Sequence, residues 1–314
     1  EICACLVGSE MCIRDRYFNF ETNPKLNETF AENISPDYLI PILSHIAGQT
    51  IIREKTLIVF DEVQLCERAL TSLKYFCEDA PEYHIIVAGS LLGVAVNRTR
   101  FSFPVGKVDM KTLYPMDMEE FMLAMGEEQL VELIKKCFQT DTPMPAALHD
   151  AAMQLYRQYL VVGGMPECVM QFIQTKDYIL VRNTQNTILA SYLNDMSKYN
   201  NLSEIKKTRL AYDNITVQLS KKNTRFQYKL IKKGGRASEF ENAIEWLCLS
   251  GIVSQVYKVE QVKKPLENYR DIDAFKIYVS DLGLLCAKKE LLANDILYIC
   301  LLYTSPSPRD MRRS

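Results

Sequence analysis

The chain has 314 residues, 48% of them hydrophobic and 24% charged, and its 37 Lys and Arg nearly balance 39 Asp and Glu. This composition suits a globular protein of two or three small domains, and a formal charge of −2 gives no whole-chain electrostatic case for nucleic acid or a membrane surface, although a local basic face stays open. No apolar run reaches the roughly 18 residues of a membrane span, and ten cysteines without a CxxC pair or the Cys/His spacing of a zinc site read as reduced cytoplasmic thiols.

The two ends stand apart from the rest. Leu6–Arg16 (LVGSEMCIRDR) and Cys300–Asp310 (CLLYTSPSPRD) can be coded by opposite strands of one short DNA, the mark of a sequencing-library adapter read through at both junctions. Residues 1–16 and 300–314 are therefore expected to be foreign and are kept out of the fold reasoning. Removing them takes away five basic and four acidic residues, which leaves 32 against 35 and a formal charge of −3. Cys3, Cys5, Cys12 and Cys300 leave with them.

From Tyr17 onward the elements follow in order. YFNFE (17–21) alternates aromatic and polar residues, the period of a half-buried strand. SPDYLIPILSHIAGQ (35–49) predicts a helix with Ser35 as cap and Pro36 in its first turn, ending near Gly48. TLIVF (56–60) is short, uninterrupted and β-branched, which predicts a buried strand. ERALTSLKYFCED (67–79) predicts an amphipathic helix, and HIIVAGS (84–90) a second buried strand. Strand and helix alternating at this spacing predict a parallel sheet with crossover helices, with a further strand around KVDMKTLYP (107–115). Region 17–116 is thus α/β.

Region 117–201 reads as helical: MEEFMLAM, EEQLVELIKKCF, AALHDAAMQLYRQYLV, PECVMQFIQT and a longer run from Asp177 to Tyr199, with DTPMP (141–145) as a linker. Region 202–299 opens with a helix through about Ser220, then an extended segment FQYKLI and a basic turn KKGG. A helix ASEFENAIEWLCLSG and two ribbon strands, IVSQVYKV and AFKIYVS, complete it. Helix, helix and a two-stranded wing is the order of a winged helix-turn-helix.

The chemistry concentrates at Asp61 and Glu62. A strand that ends in Asp-Glu puts two carboxylates where open α/β sheets bind ligands, at the carboxyl edge. The first is placed to hold Mg²⁺, usually through water, and the second to orient or deprotonate the water that attacks a γ-phosphate. The alternative is that an acid after a strand caps the next helix. Ser90 reaches the same edge from the next strand, where a short polar side chain could report on the γ-phosphate or the attacking water; alone it would also serve as a helix cap. The loop that works with such acids, GxxxxGK[ST], occurs nowhere in the chain. It is expected ahead of the strand that precedes Tyr17, beyond the first junction, so that the chain by itself binds ATP weakly or not at all.

YFNFE, LIVFDEVQ, IIVAGSLLG, LYPMDMEEF, YLVVGGMPECV, SYLNDMSKY, RASEFENAIEWLCLSGIV and DAFKIYVSDLGLL, in this order, resemble a large prokaryotic group of AAA-type P-loop ATPases. The resemblance covers nearly all of 17–299. It implies a P-loop NTPase-type parallel sheet, here truncated at its N-terminus (17–116), followed by a helical region (117–201) and a winged helix (202–299). A restriction-endonuclease-like domain of the PD-(D/E)XK type would follow after DLGLLCAKKELLANDIL. It further implies ATP binding and Mg²⁺-dependent hydrolysis, with Asp61 and Glu62 at the Walker B positions and Ser90 at the sensor position. No residue matches the Walker A loop, so this fragment is expected to be inactive. The alternative from another class is a non-catalytic winged-helix module that binds DNA or adapts a protein partner.

Other residues have plainer readings beside sharper ones. Lys232, Lys233 and Arg236 could meet DNA phosphates, but Glu239, Glu241 and Glu245 on the same helix favour a protein partner or interdomain packing. GGMPE (163–167) reads as a hinge near nucleotide, or as a helix break with Pro166 opening the next helix. Arg98, Arg100 and Lys107 could present a cation to a neighbouring subunit's phosphate, or lie in a solvated loop. His45, His84 and His149 have no triad or metal spacing, and the remaining cysteines read as core residues.

Overall fold

A computed structural model describes residues 15–89, 106–198, 202–221 and 225–297. The chain divides into two compact units, residues 1–112 and 113–314. The first holds a parallel sheet of β1 (Arg16–Asn19), β2 (Leu57–Asp61) and β3 (His84–Val87), with β2 in the middle. Helices α1 (Lys25–Glu32) and α2 (Pro36–Ile46) lie between β1 and β2, and α3 (Glu67–Asp79) lies between β2 and β3. Arg16, the last residue of the segment expected to be foreign, pairs with Ile58; a ladder is made by backbone and asks little of the side chain.

Alternation on β1 and β2 sorts their side chains to two faces. Phe18 of β1, Phe20 just past its end, and Ile58 and Phe60 of β2 point into a core completed by Leu26, Phe30, Leu39, Leu43, Leu73 and Phe76 from the helices. Phe60 is the hub. Its ring lies 6.0 Å from Phe18, 5.7 Å from Phe20 and 5.6 Å from Phe30, each edge to face, the geometry that the aromatic quadrupole favours.

Helix α1 was not legible as an element: its two buried residues, Leu26 and Phe30, are a single i, i+4 pair in a polar run, and its N-cap Pro24 makes no side-chain cap bond. Two expectations are corrected. β3 is not fully buried, because Ile86 keeps 39% of its surface exposed and, among the described residues, β3 pairs on one edge only. Residues 107–115 form no strand; an extended segment becomes a strand only with a ladder partner, and none of the described residues supplies one.

The second unit begins with α4 (Met118–Ala124), α5 (Glu128–Gln139), α6 (Ala146–Val162), α7 (Pro166–Thr175) and α8 (Tyr178–Lys198). Asp117 and Glu120 form a reciprocal capping box at the start of α4. Then come α9 (Leu202–Ser220), α10 (Ala237–Leu249), β4 (Val253–Val259), β5 (Arg270–Val279) and α11 (Leu282–Lys288). β4 and β5 are antiparallel, Val253 facing Val279, with a register shift at Tyr257 and Lys258. The segment read as extended, FQYKLI, instead contains a 3₁₀ turn at Tyr228–Leu230, anchored where the Phe226 amide donates to the Phe275 carbonyl at 2.7 Å and the two rings stack. Of the six described cysteines, Cys66, Cys168 and Cys286 are buried as expected, and Cys77 is exposed. Burial pushes the Cys168 thiol up to about 12, which makes it an inert apolar residue.

The hub position gives a direct test. Phe60→Ala should cost the first unit about 3–5 kcal/mol, read as faster amide exchange throughout β1 and β2 with no change in α9 and α10. A loss under about 1 kcal/mol would show that the four-ring cluster does not hold the sheet.

Candidate functional site

Because side chains alternate along β2, burying Ile58 and Phe60 sends Val59 and Asp61 to the other face. Parallel pairing then aligns Asn19 with Asp61, and Tyr17 and Asn19 lie on the same face of β1. Both reach the acid. The Tyr17 hydroxyl and the Asn19 amide, the latter at 3.1 Å, donate to Asp61 Oδ2, and the Glu62 amide donates to Oδ1 at 2.9 Å. Asn19 has no freedom to turn, because its own Oδ1 accepts from the amides of Glu21 and Thr22, each at 2.9 Å. The nitrogen of that side chain is thereby aimed at Asp61.

Glu62 sits in the left-handed region, with φ 53° and ψ 35°. This is an uncommon conformation for a residue with a Cβ and costs on the order of 1–2 kcal/mol. It lets the backbone turn at once, so that the Val63 amide reaches the Ala88 carbonyl at 3.2 Å while Ala88 N donates to Phe60 O at 2.7 Å. The Glu62 carboxylate accepts from Gln64 Nε2. Both acids are half-buried. Neither caps a helix: α3 has Cys66 as its N-cap residue, with no side-chain cap bond, and the 3₁₀ turn Val63–Leu65 has none from Glu62. The capping alternative for this pair therefore fails.

Ser90 lies outside the described residues, as do Arg98 and Arg100. β3 does carry the chain toward the acids, for Val87 is paired with Phe60 and Ala88 is hydrogen-bonded to both Phe60 and Val63. Lys107 is engaged by Glu78 at 3.1 Å. Sequence reasoning missed Tyr17, Asn19 and Gln64 as neighbours of the acids. The signal for the first two was present: they occupy the polar phase of YFNFE, and a parallel neighbour must place that phase beside Asp61.

The donor set suits a hydrated magnesium ion. A carboxylate offers about four acceptor positions, three of which are taken by Tyr17, Asn19 and the Glu62 amide. What remains suits a metal-bound water better than direct bidentate ligation. Among the described residues no group of three or more His, Cys, Asp or Glu could hold a metal by side chains alone, and no described helix is long and apolar enough to cross a membrane.

In the second unit, the exposed residues of α10 include Ser238, Glu241, Asn242 and Glu245, and Lys232 is occupied by Glu239 at 3.1 Å. Lys233 and Arg236 are exposed at the helix start.

Residues 11–122 match the family described as an AAA domain. Residues 153–295 match a domain of unknown function (DUF8612). Among solved structures, the Walker-type ATPase PABY2304 of Pyrococcus abyssi is similar over 88% of this chain and 84% of its own, at 11% identity and a TM-score of 0.48. No curated protein matches.

The left-handed glutamate predicts a trade-off. Glu62→Gly should leave the first unit no less stable, with a gain of up to about 1 kcal/mol as relief of strain outweighs the added chain entropy. Guanidinium unfolding monitored by exchange of the β2 amides reads this; a loss above about 1 kcal/mol would mean that the Glu62 side chain is needed for the fold itself.

Proposed function

We propose that a chain whose residues 11–122 match an AAA domain works as the hydrolytic half of an ATPase site, with Asp61 and Glu62 as its two acids. The observation that carries this is their position: adjacent residues at the carboxyl end of the central parallel strand, half-buried, neither spent on a helix cap. Asp61 would hold Mg²⁺ through water. Tyr17 and Asn19 fix the rotamer of its carboxylate, so that no ordering cost is left for the moment of binding. Glu62 orients the attacking water and accepts its proton, while Gln64 steadies the carboxylate. Bound magnesium would supply charge neutralisation at the phosphates. Ser90 remains the proposed sensor in the segment that follows β3.

No GxxxxGK[ST] run occurs among these 314 residues. The proposed roles therefore belong to a chain in which such a loop precedes β1. The order α9, α10, β4, β5 supports a winged helix in the second unit. Its outward Glu241 and Glu245 favour a protein partner over the DNA backbone, because phosphates repel an acidic face.

In a longer chain carrying the loop ahead of Tyr17, Glu62→Gln should abolish steady-state ATP hydrolysis, by about a hundredfold or more, while nucleotide stays bound. Asp61→Asn should weaken magnesium dependence first. Hydrolysis retained in the Glu62→Gln variant would remove Glu62 from the assigned role.

A further inference from the structure

The two glycines at 163 and 164 look in sequence like a hinge, yet the structure pins them from three sides. Asp281, the N-cap of α11, keeps only 3% of its surface exposed. Its Oδ2 accepts from the Gly164 amide at 2.6 Å and its Oδ1 from the Leu284 amide at 2.7 Å, and the Gly283 amide adds a further favourable influence on the carboxylate. Burial pushes this carboxyl upward and the three amides pull it back. Gly164 passes the constraint on: its carbonyl accepts from Met116 N at 2.7 Å, and the Met116 carbonyl accepts from the Tyr159 hydroxyl at 2.9 Å.

The fit excludes side chains. A Cβ at Gly163 would stand 2.4 Å from Asp281 Oδ1, one at Gly164 1.9 Å from the Met116 carbonyl oxygen, and one at Gly283 2.3 Å from the Val162 carbonyl oxygen. Gln185, 1% exposed, closes the assembly by donating to the carbonyls of Val161 and Val162 at 2.8 and 3.0 Å. Four stretches of chain, at 116, 159–164, 185 and 281–284, therefore meet around one buried carboxylate. An ordinary N-cap needs only the bond to the residue three positions on. The bond to Gly164 and the absence of room at three glycines require a further explanation.

We propose that Asp281 is the latch of a conformational joint: its carboxylate fixes the Gly163–Gly164 turn, that turn fixes Met116, and the segments at 116, 159–164 and 281–284 open and close as one unit. Met116 lies just inside the second unit, and Asp281 follows β5 by two residues. A displacement applied along residues 113–116 is thus passed to α11 and to the β4–β5 ribbon instead of being absorbed at the diglycine. When the latch opens, the diglycine becomes the hinge that its sequence suggests. This device is independent of the nucleotide chemistry proposed above.

Native-state hydrogen exchange on the full chain, in rising but sub-denaturing guanidinium, tests it. In the unmodified protein the amides of Met116, Gly164 and Leu284 should converge on one opening step with a common denaturant dependence. Asp281→Ser keeps a helix-capping oxygen but is too short to bridge both partners; it should speed exchange at Gly164 and Met116 by about tenfold or more and leave Leu284 within about threefold. Gly164→Ala, which drives a methyl into the Met116 carbonyl, should speed exchange at Leu284 as well. Separate openings of Met116 and Leu284 in the unmodified protein, or wild-type exchange at Met116 in Asp281→Ser, would reduce Asp281 to a plain helix cap and overturn the latch. The unmodified protein decides the matter alone if either variant fails to fold.

Discussion

Phe60 and Asp61 are consecutive residues of one strand, and the whole first unit follows from sending one inward and the other outward. A strand has no way to place neighbours on the same face. Burying the Phe60 ring among Phe18, Phe20 and Phe30 therefore commits Asp61 to the opposite face at the sheet's carboxyl edge. The aromatic cluster holds the strand in register, and register puts Asn19 and Tyr17 beside the acid. A slip of one residue would bury the carboxylate and expose the ring, at a cost no hydrogen bond in the site could offset.

The polar side of the strand shows where stability has been given up. Glu62 holds a left-handed backbone without being glycine, and the half-buried Asp61 carboxylate has three donors arranged around it. The left-handed backbone at Glu62 is not required by the core, and strain of this kind is what motivates the functional reading proposed for the pair. The second unit shows the opposite use of a carboxylate. Asp281 is nearly sealed from solvent, accepts from the backbone amides of Gly164 and Leu284, and is packed against glycines that have no room for a side chain. One acid is half-buried at a sheet edge, the other sealed among backbone amides of three segments.

What could be read from the residues tracks the range of the forces involved. Periodicity located β1, β2 and the helices from α2 to α10, most of which bury an apolar stripe, and it found β3 although that strand is only half-buried, while α11 was not predicted as an element. It failed at α1, where Leu26 and Phe30 are too few to make a stripe. It also failed at residues 107–115, whose apolar content suits a strand but whose pairing depends on a partner that local pattern cannot show. The acids at 61 and 62 were legible because strand end and residue type coincide. Tyr17 and Asn19 became neighbours of Asp61 only through parallel registration, and the bond from Gly164 to Asp281 joins positions that no local rule connects. The diglycine was visible, but its clamp was not. Glycine announces permitted freedom, whereas the surrounding atoms decide whether that freedom is used.

The central claim is that the acid at the end of β2 holds the metal that accompanies nucleotide. Paramagnetic broadening by Mn²⁺ with ATP, in a chain bearing the phosphate-binding loop, measures this at individual residues. The amides of Asn19, Asp61 and Glu62 should broaden first and should recover in Asp61→Asn, with those of α9 and α10 untouched. Broadening that leaves residues 19, 61 and 62 sharp, or that persists in Asp61→Asn, would contradict the assignment of Asp61 as the metal-holding acid.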